Sequence, residues 1–272
     1  MMQQAATWNC DTLRPLFAGQ EHHLAIEAVL VGAAQGQVFA GAGPNPHWAA
    51  IWAQHRVYLG GEPSSSMLDS LGDLLANTVA PAARTRGDYA FGLYYAPAWH
   101  AQLAGLLPDL PHTPLARQYY VTDQPGLLLP PSDGLPAGLR LAAVDASLMA
   151  QTQFVNHARL AEEMCSERPS VEDFLARSFG VCLLNGDTLA GWCLSEYNCG
   201  DCCEVGIEVV EEYQRRGLGT LLTQALCSEA ARRGLRQVGW HCLANNVPSG
   251  ATARKAGLLL ALEYPSAVVW LR

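Results

Sequence analysis

The chain has 272 residues, of which 50% are hydrophobic and 15% charged, and its formal net charge is −8. That length fits two domains of ordinary size, and the composition excludes a disordered polymer. No window reaches the roughly 18 uninterrupted apolar residues of a membrane span, and the first residues lack the pattern of a secretory leader. The acidic balance sets nucleic acid and anionic membranes aside as partners, because its diffuse field repels both. A cytoplasmic protein is expected, monomeric or homodimeric. The nine cysteines are an odd number and point to free thiols in a reducing compartment.

In chain order, the N-terminal part (1–123) reads as a mixed α/β domain. Residues 24–32 (LAIEAVLVG) and 51–61 (IWAQHRVYLGG) read as strands. Met67 to Val79 carries apolar residues at helical spacing behind three serines. The adjacent His22 and His23, with no third ligand, read as surface residues. Residues 124–138 hold four prolines and three glycines and form a linker, since prolines lack donors.

The C-terminal part (139–272) is more regular. A strand at 139–145 leads to a helix over 146–165, and Ser170 caps a second helix that carries Asp173 in its first turn. Residues 179–196 contain an Asn185-Gly186 turn between two apolar runs, a hairpin signal. A strand at 203–210, an amphipathic helix at 217–233, a strand at 236–243, a short helix at 249–256 and two closing strands complete the order. Cys199 and Cys202 form one C-x-x-C knuckle without a second ligand pair, so no metal is expected and a hairpin turn explains them better.

The chemistry centres on Gln214-Arg215-Arg216-Gly217-Leu218-Gly219-Thr220. A dinucleotide fingerprint needs a third glycine, but residue 222 is leucine, and a P-loop needs a lysine that is absent. The spacing that fits is Q/R-x-x-G-x-G/A between a strand and a helix. Unpaired amides of the helix start, without side chains at 217 and 219, would then face a pyrophosphate.

This motif, followed by Asn246-Val-Pro-Ser249-x-x-Thr252-Ala253-x-x-x-Gly257-Leu258, resembles the GCN5-related N-acetyltransferase (GNAT) superfamily. The stretch "WHCLANNVPSGATARKAG", the closing "EYP" and "NPHWAAIW" at 45–52 resemble the acetyltransferases related to the zwittermicin A resistance protein. The resemblance implies an α/β (α+β) fold whose C-terminal domain has a mixed, mostly antiparallel sheet flanked by helices. The N-terminal domain is then either a support or a decayed copy of the same fold.

It also implies acetyl-CoA as co-substrate and a small-molecule amine as acceptor. By position, Val209 and Val210 would meet the pantetheine arm and thioester, 214–220 the pyrophosphate, and Asn246 the pantetheine. An ammonium cannot attack, and neutralising one at pH 7 costs roughly 4–5 kcal/mol, so a base is needed. His241 is the first candidate, five residues before Asn246, where ribosomal alanine acetyltransferases carry a glutamate. Glu208, a carboxylate in an apolar strand, is the second. Many superfamily members place a tyrosine acid seven residues after the asparagine, but Ala253 stands there, so either Tyr197, Tyr264 or water serves as the acid or the thiolate leaves unassisted. That substitution keeps a second reading open, a non-catalytic acyl-CoA sensor.

Overall fold

In the computed structural model, residues 3–4, 10–130 and 135–272 are described. In chain order the strands are β1 (Gln3–Gln4), β2 (Gln37–Ala40), β3 (Ala49–Ala53), β4 (Arg56–Gly60), β5 (Ala90–Tyr95), β6 (His112–Thr122), β7 (Leu139–Ala143), β8 (Gly180–Asn185), β9 (Thr188–Cys199), β10 (Cys202–Val209), β11 (Gln237–Leu243) and β12 (Leu259–Trp270). The helices are α1 (Cys10–Leu13), α2 (Leu24–Leu30), α3 (Ser65–Leu74), α4 (Ala80–Thr85), α5 (Leu103–Leu106), α6 (Ala146–Met149), α7 (His157–Met164), α8 (Val171–Arg177), α9 (Leu218–Arg232) and α10 (Val247–Ala256). Among the described residues, no helix is long and apolar enough to cross a membrane.

The chain divides into two compact units, residues 1–117 with 263–272, and residues 118–262. The expected boundaries at 123 and 139 differ from these for a physical reason. The last part of β12 pairs antiparallel with β5, Ser266 with Tyr94 through Trp270 with Ala90, so the C-terminus belongs to the first unit. The proline-rich stretch belongs to the second, where Leu128 and Leu135 pack on the core and the Leu128 carbonyl accepts from Ser228 Oγ at 3.3 Å. Its residues 131–134 lie outside the described ones.

In the first unit the strands run β1-β2-β3-β4-β5-β12. The β1–β4 meander is antiparallel and β4 lies parallel to β5. Residues 24–30, expected as a strand, are helix α2, which buries Ala25, Ile26, Ala28, Val29 and Leu30. The expected strand at 51–61 is the end of a hairpin, β3 turning into β4 at Gln54, whose φ is +50°. The two histidines are not both on the surface: His23 is buried, and its ring lies 5.2, 5.1 and 4.9 Å from those of Tyr58, Tyr94 and Tyr264.

In the second unit the order is β6-β11-β10-β9-β8-β7. The β7–β10 meander is antiparallel and β10–β11 is parallel, giving a mixed sheet with helices on both faces. One face packs on α9 and α10 through Cys203, Val205, Val238 and Trp240 against Leu218, Leu222 and Leu226. The other packs on α6–α8 through Cys182, Trp192 and Leu194 against Leu160, Met164 and Phe174. The helix expected over 146–165 is two, because Asn156 takes a left-handed φ of +69° before α7. Ser170 caps α8 as expected, accepting from the Asp173 amide at 3.2 Å.

Candidate active site

The site begins where a ladder stops. Parallel pairing joins Cys202–Glu204 of β10 to Gln237–Gly239 of β11, while β10 continues to Val209 and β11 to Leu243. Beyond the last pair lies a cleft of about 840 Å³, bounded by Ile207 and Val209, the loop before α9, Trp240 and the first turns of α10.

The loop is built from side chain to main chain. Gln214 Nε2 donates to the Val209 carbonyl at 2.9 Å and closes the turn at the strand end. Arg215 and Gly217 take left-handed φ values of +59° and +77°, and Gly217 is the N-cap of α9 with no side-chain cap. The first intrahelical bond runs from the Leu221 amide to the Gly217 carbonyl at 3.2 Å. The amides of Leu218, Gly219 and Thr220 therefore have no acceptor within the helix, and the positive end of the dipole adds to them.

The two glycines do different work, which refines the expectation that both clear room for phosphate. A Cβ on Gly217 would meet nothing within 4 Å, so that glycine serves the left-handed backbone. A Cβ on Gly219 would lie 3.1 Å from Thr252 Cγ2, so that glycine lets α10 approach α9. Arg216 folds back, donating to the Glu212 carbonyl at 2.9 Å with its guanidinium 5.6 Å over the Tyr213 ring, and does not line the cleft.

Arg215 and Lys255 do line the cleft, and neither side chain has a partner among the described residues. Lys255 is the chain's only lysine, and motif reading missed it. Its signal was helical spacing: three residues after Thr252, it shares that residue's face of α10.

Asn246 lines the cleft and caps α10, its Oδ1 accepting from the Ser249 amide at 3.1 Å. The carboxamide NH₂ has no partner among the described residues. Val209 also lines the cleft, but Val210 does not. Its amide donates to the Ala190 carbonyl at 3.0 Å and its side chain is buried in the core under α7, so that donor is unavailable to a ligand.

The candidate bases lie on the opposite face of the sheet. Glu208 is engaged by Arg159 of α7 in an ion pair, which explains its presence in an apolar strand and weakens it as a proton acceptor. His241 Nε2 lies 3.3 Å from Glu204 Oε1, and the two side chains are only 12% and 10% exposed. The His241 ring stacks on Tyr119 with centroids 4.7 Å apart and planes at 27°. Burial, followed by the neighbouring Glu204 charge, pushes the Tyr119 hydroxyl well above its ordinary range, so it remains a phenol.

Glu204 was missed because its sequence neighbourhood resembles any half-buried strand. Only the register, which places it opposite Gly239 and two positions from His241, brings it forward. Of the proposed acids, Tyr197 is buried away from the cleft, and Tyr264 belongs to the first unit, where its hydroxyl accepts from Arg117 Nε at 3.1 Å. Ala253 is fully buried against the core.

Cys199 and Cys202 face each other across the Gly200-Asp201 turn. Burial and Asp201 push Cys202 up to about 11, so it stays a thiol at neutral pH.

A mixed sheet that parts at a parallel pair beside an uncapped helix start is the arrangement of the GNAT fold. The GNAT acetyltransferase family profile matches residues 14–266, and the chain belongs to that family. It is 28% identical over 130 residues to the uncharacterized N-acetyltransferase YdfB of Bacillus subtilis (strain 168). That match covers 48% of each protein, so the chain spans about half the length of this curated relative.

Among solved structures, it resembles the GCN5-related N-acetyltransferase-like protein of Streptococcus suis over 96% of this chain and 98% of that one, with a TM-score of 0.70 and 19% identity. The GCN5-related N-acetyltransferase of Sphaerobacter thermophilus matches over 100% and 96%, with a TM-score of 0.62 and 17% identity. A tandem GNAT protein from the clavulanic acid biosynthesis pathway matches over 100% and 99%, at 0.59 and 13%. These structural likenesses are likenesses of fold.

Proposed function

We propose that the chain is an acetyl-CoA-dependent N-acetyltransferase that acetylates an amine of a small molecule within a ternary complex. The observation that carries this reading is the cleft between the parted strands, floored by Trp240 and closed by the unpaired amides at 218–220. Bound there, acetyl-CoA supplies an acetyl group already activated as a thioester.

The chain's residues fit that donor. The loop amides hold the pyrophosphate, each charge-assisted bond contributing about 1.5–3 kcal/mol. Arg215 and Lys255 add positive charge, and Asn246 and the Val209 strand edge hold the pantetheine arm. The gap past Glu204 and Gly239 lets the acceptor come from the opposite face, where His241 removes the ammonium proton. The freed nitrogen then attacks the thioester carbonyl. The C–N bond forms as the C–S bond breaks, the thiolate leaves with the bonding pair, and the second amine proton passes to solvent. Holding both reactants together provides much of the acceleration.

The resemblance to the zwittermicin A resistance group accords with a small-molecule acceptor. A sensor that binds acyl-CoA without turnover is favoured by one observation, alanine at 253. Thiol release from acetyl-CoA with a panel of amines, beside a thermal shift with CoA, separates the readings. Release with at least one amine supports the enzyme, a shift without release on any amine supports the sensor, and neither response overturns both.

We also propose one donor site per chain. In the first unit the corresponding parallel pair stays joined along β4, Arg56–Leu59 with Gly92–Tyr95. The turn that follows is filled, since a Cβ on Gly61 would lie 2.9 Å from Met67 Cε, and the Gly61 carbonyl accepts from Trp99 Nε1 at 2.8 Å. The unit reads as a decayed copy without a gap. Titration calorimetry is expected to give one CoA per chain, and a stoichiometry of two would refute it.

Arg215→Ala and Lys255→Ala are each expected to weaken CoA binding about fivefold and to flatten its salt dependence, as exposed cations do. Affinity measured against salt concentration checks this.

A further inference from the structure

We infer that Glu204 is the positioning residue of His241, deciding which ring nitrogen receives the acceptor's proton. This rests on the reading of His241 as proton acceptor. Glu204 Oε1 lies 3.3 Å from His241 Nε2. A carboxylate offers acceptors only, so the ring hydrogen sits on Nε2 and the neutral imidazole carries its basic lone pair on Nδ1. When Nδ1 takes the ammonium proton, the new positive charge forms beside a carboxylate already in place, in surroundings largely shielded from water.

The ring plane is set from the other side. Tyr119 stacks on it, and Tyr119 can lie there because residue 239 is glycine: a Cβ would fall 2.8 Å from the tyrosine ring. Position adds to the argument. Glu204 and Gly239 are the last joined pair of β10 and β11, and His241 is the next residue of β11 on the same face. The last rung of the ladder thus supplies a carboxylate, and the first residue past it on that face supplies the base at the edge of the gap. Gly239, Tyr119, Glu204 and His241 form one chain of contacts that orients a single imidazole.

The test uses the full-length protein labelled with ¹⁵N-histidine, the His241 signals being identified by their loss in His241→Ala. Wild type is expected to show the Nε2–H tautomer, and Glu204→Ala a mixture of both. In turnover, Glu204→Ala is expected to lower kcat at least about 10–100-fold, the loss seen when the partner that orients a metal-ligating histidine is removed. KM for acetyl-CoA should hold, and Glu204→Gln, which keeps an acceptor oxygen, should retain more activity.

If His241→Ala is inactive while Glu204→Ala keeps the wild-type kcat and tautomer, this inference falls and the proposed function stands. If His241→Ala is as active as wild type, the base assignment and this inference fall together, leaving CoA binding untouched. Should the Glu204 variants not fold, the wild-type spectrum alone decides, because a protonated Nδ1 with a bare Nε2 overturns the inference.

Discussion

Replacing His241 with alanine is expected to lower kcat with an amine acceptor about 10²–10⁴-fold, the usual worth of a positioned general base. Affinity for CoA should be unchanged, because the ring lies on the sheet face opposite the cleft lining. The pH dependence gives a sharper signature. Without the base, the reactive species is the free amine already present in solution, whose fraction rises about tenfold per pH unit below an amine pKa near 10.4. Activity of the variant should therefore climb steeply with pH and approach wild type only as the acceptor deprotonates by itself. A variant whose rate stays flat with pH, or that matches wild type at pH 7, would remove His241 from the chemistry.

Gly219→Val is expected to abolish measurable CoA binding and to destabilise the second unit by about 1–3 kcal/mol, the cost of overpacking a close contact. The new Cβ alone would lie 3.1 Å from Thr252 Cγ2, and valine's methyl groups would drive α9 and α10 further apart. The milder Gly219→Ala should be partly repaired by Thr252→Ser, which deletes that methyl and keeps the hydroxyl bonded to the Pro248 carbonyl at 2.9 Å. Gly217→Ala behaves differently. It meets no neighbour, but its φ of +77° carries a backbone penalty of about 1–2 kcal/mol that no partner change can relieve. Calorimetry and thermal unfolding of the four variants check the set, and a Gly219→Val protein that binds CoA normally would show that the helices need not touch.

The cleft proposed for the donor is legible in the sequence because main-chain groups make it. Gly217 and Asn246 cap the two helices that border the cleft, so their spacing carries the geometry. The other half of the site was harder to read. His241 was visible as a residue, but its partner Glu204 belongs to a strand 30 or more residues earlier, joined to it only through parallel register. Lys255 was hidden in an ordinary helix and gains meaning only because Gly219 brings α10 against α9.

In the first unit, residues 24–30 are apolar all along, so strand and helix periods could not be told apart, and tertiary packing chose the helix. The return of residues 263–272 to the first unit is a long-range pairing that no local pattern announces.

The most direct measurement is an amide NMR titration of the ¹⁵N-labelled chain with CoA. Leu218, Gly219 and Thr220 should show the largest shifts, with Gly217 and Asn246 next and the residues around Gly61 silent. Binding that leaves the amides at 218–220 unmoved while shifting another region would contradict the assignment of this helix start as the diphosphate cradle.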